Sequence, residues 1–332
     1  MNTAPGRVLG IETSCDETSA AVLDGTRVLS NVVSSQAALH EKWGGVVPEA
    51  AARAHVEAVL PAIEEALSSA STERPDAIAV TNRPGLVGAL SVGTTCAKGL
   101  ARAWGVPMVG VHHLEGHILS VFLGGTLVAF PHVCLLVSGG HTEIVLVRSV
   151  GEYELLGQTI DDAAGEAFDK GARLLGLGYP GGRAIQDAAA KGDPDRYPLP
   201  RGLKSDPLNF SFSGLKTAVL RLVEQEGDEI NVADAAASLQ AAIVGPLVTK
   251  AMRALEESPA KALTLVGGVA ANASLRARLA EECARNGVPF ATPPIEYCTD
   301  NAAMIALAGS IRLAEGQRDD LWLDAFANAD LP

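Results

Sequence analysis

Cysteine chemistry is the first thing this chain lacks. Its five cysteines (Cys15, Cys96, Cys134, Cys283 and Cys298) are scattered and form no CxxC pair. They read as reduced thiols of a cytoplasmic protein. No apolar run reaches the length of a membrane span. The opening MNTAPGRVLGIETS has no apolar signal core and enters a strand almost at once. Positive charge is scarce too: 26 Lys and Arg against 39 Asp and Glu leave a net charge of −13. That argues against a self-sufficient nucleic-acid binder, so an RNA substrate would need a local basic patch or a basic partner. Aromatics are only 4% of the chain, against 48% hydrophobic residues and 34 glycines. This balance suits an α/β protein, and 332 residues allow two domains with a sizeable core.

What is present is organised around His112-His113-Leu114-Glu115-Gly116-His117. His113 and His117 are four apart, so on a helix both imidazoles share one face. Leu114, Ile118 and Phe122 repeat at helical spacing beside them. Val109-Gly110-Val111 just before reads as the end of a strand, and open α/β sheets place sites at such strand-to-helix junctions. The pair can offer two nitrogens to one metal ion. The plainer alternative is a surface pair or a capped core pair. A zincin is disfavoured: its general-base Glu directly follows the first His, whereas Glu115 is two residues on and rotates to the far side of the helix.

The remaining chain reads as alternating strands and helices. Val8–Ile11 and Ala20–Leu23 are strands around the polar turn Glu12-Thr13-Ser14-Cys15-Asp16-Glu17-Thr18-Ser19, which is either a solvated loop or a ligand-facing one. Residues 49–70 are expected to form a helix with Val56, Leu60, Ile63 and Leu67 on one face, kinked at Pro61. Strand, polar turn and strand recur at Val133–Val137, Ser138–Thr142 and Glu143–Val147, which suggests two lobes of similar fold. The Ser138-Gly139-Gly140 amides can face an anion or a carbonyl oxygen. Between Arg196 and Arg221 lie five basic residues and one acid, with Phe210 and Phe212 either free to stack on bases or simply buried. Ala262–Val266, a glycine turn through Asn272 and a helix from Ser274 resemble the way a helix N-terminus meets a nucleotide. Asp300 stands at the start of a helix over 301–315, where its default role is the cap.

IETSCDET, HLEGH, LLVSGGHTE, GEAFDK, YPGG, FSFSGLKT, LVGGVAAN and CTDNAAM follow in one order across residues 8–305. The set resembles the TsaD/YgjD (Gcp) family of tRNA N6-adenosine threonylcarbamoyltransferases. The resemblance implies an α/β, two-lobed actin-like, sugar-kinase and Hsp70 ATPase (ASKHA) fold, each lobe with a mixed sheet flanked by helices. The N-terminal lobe would span 1–131, with a C-terminal helix over 301–332 packing back on it, and the C-terminal lobe 132–300. The resemblance further implies His113, His117 and Asp300 as ligands of one Fe²⁺ or Zn²⁺ ion. Leu136, Val137, Ser138, Gly139, Gly140, Asp169, Gly182 and Asn272 match the family's substrate contacts. Arg183 stands where many relatives carry proline. The implied reaction moves threonylcarbamoyl from threonylcarbamoyl-AMP to the adenosine just 3′ of the anticodon, in tRNAs reading codons that start with A. AMP leaves readily, so no covalent nucleophile is needed. TsaB-like and TsaE-like partner proteins are implied, and no membrane. Arg196, Arg201, Lys204, Lys216 and Arg221 are the candidate tRNA rim, with Arg173 and Arg183 as candidates to extend it. The competing readings are an ATPase or kinase of the same fold, whose Mg²⁺ site would use carboxylates and water, a nucleotide-gated scaffold that needs no metal, and a protease, for which the base is misplaced.

Overall fold

The same five-stranded mixed sheet occurs twice in this chain, in a computed structural model that describes residues 6–43, 45–203 and 205–332. Residues up to Leu127 together with Asp300–Pro332 form one unit, and Val128–Thr299 form the other. In the first unit the elements run β1 (Arg7–Glu12), β2 (Glu17–Asp24), β3 (Arg27–Ser35), α1 (Ala37–Glu41), α2 (Pro48–Ser69), β4 (Ala77–Arg83), α3 (Val87–Trp104), β5 (Met108–His112) and α4 (His113–Leu119). The second unit holds β6 (His132–Val137), β7 (Thr142–Ser149), β8 (Glu152–Gln158), α5 (Ala164–Leu174), α6 (Gly181–Ala189), α7 (Ser213–Glu226), α8 (Val232–Glu257), β9 (Leu263–Val266), α9 (Ala273–Arg285) and β10 (Phe290–Ala291). The chain then returns to the first unit with α10 (Ala302–Ala314).

The strand orders are β3-β2-β1-β4-β5 and β8-β7-β6-β9-β10. In each, two antiparallel pairs lead outward on one side of the central strand and two parallel pairs on the other. The recurrence expected from the two polar turns is therefore a repeat of the whole sheet. A parallel central strand needs cover on both faces, and the side chains of β1 provide for it. Leu9 and Ile11 pack with Val59 and Ile63 of α2, while Gly10 alternates to the other face and meets Ala302 and Ala306 of α10.

Several local expectations need correcting. The buried face of α2 is Ala51, His55, Val59, Ala62, Ile63 and Ala66, whereas Val56 and Leu60 are 63% and 52% exposed. Those two line an apolar groove with Val92, Cys96 and Leu100 of α3. An Ala-rich helix packs through its small residues, so the larger apolar ones did not mark the core side. Helix α8 does contain a window apolar enough for a membrane span, but 61% of that window is buried inside the protein. It is the core helix of the second unit, with Leu239, Ile243, Val244 and Leu247 fully packed. The last helix stops at Ala314, and Gly316 follows with φ +90°. Beyond it the chain lies along the edge of the sheet. The Asp319 amide donates to the Met108 carbonyl (2.9 Å) and the Phe326 amide to that of Asn82 (2.9 Å), which covers the open edge of β5.

Candidate functional site

Strand β5 runs straight into α4, and all four residues of the turn from His113 to Gly116 are buried, as is His117. The two imidazoles stand edge-on with centroids 4.7 Å apart. Asp300 arrives from the far end of the chain. The cap of α10 is Asn301, whose side-chain oxygen accepts the Met304 amide at 3.0 Å. Asp300 is therefore not the cap, and its Oδ1 lies 3.1 Å from His117 Nε2 and 3.5 Å from His113 Nε2. One ligand atom from each residue falls within 4.8 Å of the others.

Two contacts bring α10 close to α4. A Cβ on Gly116 would sit 2.8 Å from Ile305 Cδ1, so glycine permits the approach. Glu115 turns away from the histidines, as its position predicts, and pairs with Arg312 of α10 at 2.5 Å. This removes it as a general base.

Behind His113 lies a group that the sequence reading left undecided. Glu12 Oε2 accepts from His113 Nδ1 at 2.9 Å and from Thr81 Oγ1 at 2.6 Å, while Oε1 accepts the Ser14 amide at 2.5 Å. The start of the polar turn thus faces His113 rather than water, and its density of carboxylates and hydroxyls was the signal. Ser14 Oγ is 3.2 Å from the same nitrogen. Since the Glu12 carboxylate already takes the Nδ1 proton, Ser14 has no base there and no catalytic triad forms.

The electrostatics suit a cation. Burial pushes the Glu17 carboxyl up, Asp300 and Asp16 add to it, and it reaches about 10. Burial lowers His113, but the Asp300 and Glu12 carboxylates outweigh it and hold the ring at about 9. Burial dominates at His117 and drives it down. A pocket this rich in carboxylate, with two imidazoles and one carboxylate oxygen converging, fits a divalent metal.

In the second unit the turn between β6 and β7 is tight. The Ser138 amide donates to the His141 carbonyl at 2.8 Å, so of the three amides proposed for anion contact that of Ser138 is already used. Leu136 and Val137 are strand residues with fully buried side chains and can meet a ligand only through their backbone. Gly139 and Gly140 are exposed, and a Cβ on either would meet nothing within 4 Å. Gly165 at the start of α5 lies against this turn, its amide donating to the Ser138 carbonyl at 3.2 Å. One turn along α5, Asp169 Oδ1 accepts the Gly181 amide at 2.8 Å and orders the start of α6 beside Gly182. Arg183 pairs with Asp187 on the exposed face of α6 at 2.8 Å. Gln186 of α6 accepts the Ala273 amide at 2.7 Å. The neighbouring Asn272 caps α9 through the Leu275 amide (3.0 Å) and donates to Gln240 (2.9 Å). Ser138–Gly140, Asp169, Gly182 and Asn272 are therefore linked through α5 and α6.

In the basic segment Arg196, Arg201, Lys216 and Arg221 are exposed, and Lys204 lies outside the described residues. Phe210 and Phe212 are buried and stack on each other, with centroids 6.1 Å apart, so they are not a platform for bases. The loop is held from two sides. Lys250 donates to the carbonyls of Leu203 (2.9 Å), Asp206 (2.7 Å) and Asn209, and Asp161 accepts the Phe212 amide (2.7 Å) and both Ser211 and Ser213 hydroxyls.

Residues 27–307 match the model of the TsaD family, described as tRNA N6-adenosine threonylcarbamoyltransferase. A relative from Anaeromyxobacter dehalogenans bearing that name is 55% identical over 319 residues, covering 94% of this chain and 96% of its own. One from Symbiobacterium thermophilum with the same name is 51% identical over 331 residues, covering 98% and 97%. Among solved structures, component A of (R)-2-hydroxyglutaryl-CoA dehydratase from Acidaminococcus fermentans has a TM-score of 0.58 at 17% identity, covering 93% of this chain and 99% of that one. HypF of T. kodakarensis has a TM-score of 0.61 at 16% identity, over 94% of this chain and 48% of that one. At such identities the likeness shows the fold, which is the actin-like, sugar-kinase and Hsp70 ATPase class expected from the sequence.

Proposed function

The chain belongs to the TsaD family of tRNA N6-adenosine threonylcarbamoyltransferases, acyltransferases of tRNA modification, and from that premise we propose how its residues divide the work. The donor is threonylcarbamoyl-AMP, and the acceptor is the exocyclic amine of the adenosine just 3′ of the anticodon, in tRNAs reading codons that start with A. His113, His117 and Asp300 hold one divalent ion, Fe²⁺ or Zn²⁺. When bound, that ion supplies Lewis acidity toward a carbonyl or phosphoryl oxygen.

The chain's own part is placement. Gly139 and Gly140 let the donor approach the backbone closely, and their amides face its oxygens. Asp169, next to Gly182, accepts from ribose hydroxyls. Asn272 and Gly182 border the nucleotide. AMP is the leaving group, so the amine attacks directly once both substrates are oriented. The thiols agree with this, because burial pushes all five up and none is activated as a nucleophile. The convergence of the His113, His117 and Asp300 ligand atoms is the observation that carries this reading.

With net charge −13 and, among the described residues, Arg196, Arg201, Lys216 and Arg221 exposed along the basic segment, the chain alone holds tRNA weakly. TsaB-like and TsaE-like partners complete the platform in the cytoplasm. Transfer of labelled threonylcarbamoyl to tRNA, with partners added and the protein metal-loaded or chelator-stripped, tests the reading. Transfer restored by Fe²⁺ or Zn²⁺ supports it; full transfer by metal-free protein sinks it.

A further inference from the structure

We propose that Glu12 is a positioning residue of the metal centre, setting His113 in advance as the ligand that presents Nε2. This rests on the reading of His113, His117 and Asp300 as ligands. An imidazole that binds a metal through one nitrogen keeps its proton on the other, and the partner of that proton fixes the choice. The carboxylate of Glu12 is fully buried and has little freedom to turn. Oε1 is held by the Ser14 amide (2.5 Å) and Oε2 by the Thr81 hydroxyl (2.6 Å). Both of those groups donate, so the carboxylate has only acceptor capacity left for His113 Nδ1 at 2.9 Å. Nδ1 therefore keeps its proton, and Nε2, 3.5 Å from Asp300, is the nitrogen that gives up its own to take an ion.

His117 is different. Its Nδ1 is buried and, among the described residues, meets no hydrogen-bonding partner. Among the described residues, its ring nitrogens meet one polar group, Asp300, with Nε2 at 3.1 Å. One ligand is therefore preset by the protein, and the other is set when the ion arrives.

The isosteric Glu12→Gln variant separates the roles. Whichever way its amide turns, an NH₂ group faces either the Ser14 amide or His113 Nδ1, and the Nδ1–H arrangement loses support. Zn²⁺ affinity is measured by competition with a chromophoric chelator for the wild type, Glu12→Gln and Asp300→Ala, with circular dichroism and melting of the metal-free proteins as fold controls. The expected result is a Zn²⁺ affinity weakened about 10–100-fold in folded Glu12→Gln. An affinity within about twofold of wild type overturns the role of Glu12 and leaves the ligand assignment standing. Wild-type protein that takes no Zn²⁺, or an Asp300→Ala variant that binds like wild type, overturns the ligand assignment itself. If Glu12→Gln does not fold, long-range ¹H–¹⁵N spectra of the Zn²⁺-loaded wild type decide. A His113 proton on Nδ1 supports the proposal and one on Nε2 overturns it.

Discussion

The two units carry the same sheet but use its first turn in opposite ways. At the end of β1, Glu12, Thr13 and Ser14 are buried, and their side chains turn inward, Glu12 and Ser14 to His113 and Thr13 to the Ala89 carbonyl. After β6, Ser138 bonds back to His141, while Gly139 and Gly140 are left exposed. One turn supplies side-chain oxygen and hides its backbone; the other supplies backbone and has almost no side chain. The topology brings the start of the sheet to a corresponding place in both, and the residue types decide whether that place offers carboxylate and imidazole or open backbone.

The comparison breaks most visibly through Asp300. Asp300→Ala should remove stoichiometric metal and lower transfer on the order of 10³-fold, if the ion contributes about 4 kcal/mol. AMP binding to the second unit should persist by calorimetry. Loss of AMP binding in the same variant would mean that the two sites are not separate. Next comes the buried pair under the first unit. Arg312→Ala takes from Glu115, 1% exposed at its side chain, the guanidinium 2.5 Å away, and should cost about 3–5 kcal/mol in denaturant unfolding. A loss below 1 kcal/mol, on the order of a surface pair, would show that α4 and α10 do not depend on it.

Asp169→Ala probes the second unit alone. AMP affinity should fall about 10-fold, equivalent to losing a hydrogen bond from a charged group, with metal content unchanged. Unaltered AMP affinity would remove Asp169 from the site. The smallest effect concerns pH. Burial raises Asp161, but the hydrogen bonds from Ser211, Phe212 and Ser213 together prevail and hold it below its usual 3.8. A folded-state value depressed in this way stabilises above the unfolded value, and the contribution is lost as pH falls through the folded one. The stability gap between wild type and Asp161→Asn should therefore be present at neutral pH and close below about pH 3.8. A gap that widens on acidification would reverse the sign assigned to Asp161.

Local signals in the sequence carried well. The four-residue spacing of His113 and His117, the alternation of strands and helices and the two polar turns all depend on neighbours along the chain, and each is found in the structure. Asp300 was set beside the histidines by resemblance, because nothing near it in sequence points there; the structure makes Asn301 the cap and puts Asp300 3.1 Å from His117. Glu12 was out of reach for a different reason. Its partner lies 101 residues away, and a carboxylate in a hydroxyl-rich turn looks the same whether it faces water or a histidine. Val56 and Leu60 misled because helical periodicity finds a face, and in a helix whose core side is mostly alanine the larger residues need not mark it. The aromatics of the basic segment were equally ambiguous until burial showed Phe210 and Phe212 packed inside.

The first unit is written in two pieces, residues up to Leu127 and then Asp300–Pro332, with the whole second unit between them. During synthesis the middle piece can close on itself while the first waits for α10. Until then the face of β1 that ends up against Ala302 and Ala306 has no cover, and the histidines have Glu12 behind them but lack Asp300, which follows His117 by 183 residues. Domains emerge and fold in order from the ribosome, so a nascent chain stopped before Asp300 would hold a finished second unit beside an open, metal-blind first one. Metal retention therefore serves as a test of whether the two distant pieces have come together, and a chaperone that binds exposed apolar sheet would find its target in the earlier half of the chain.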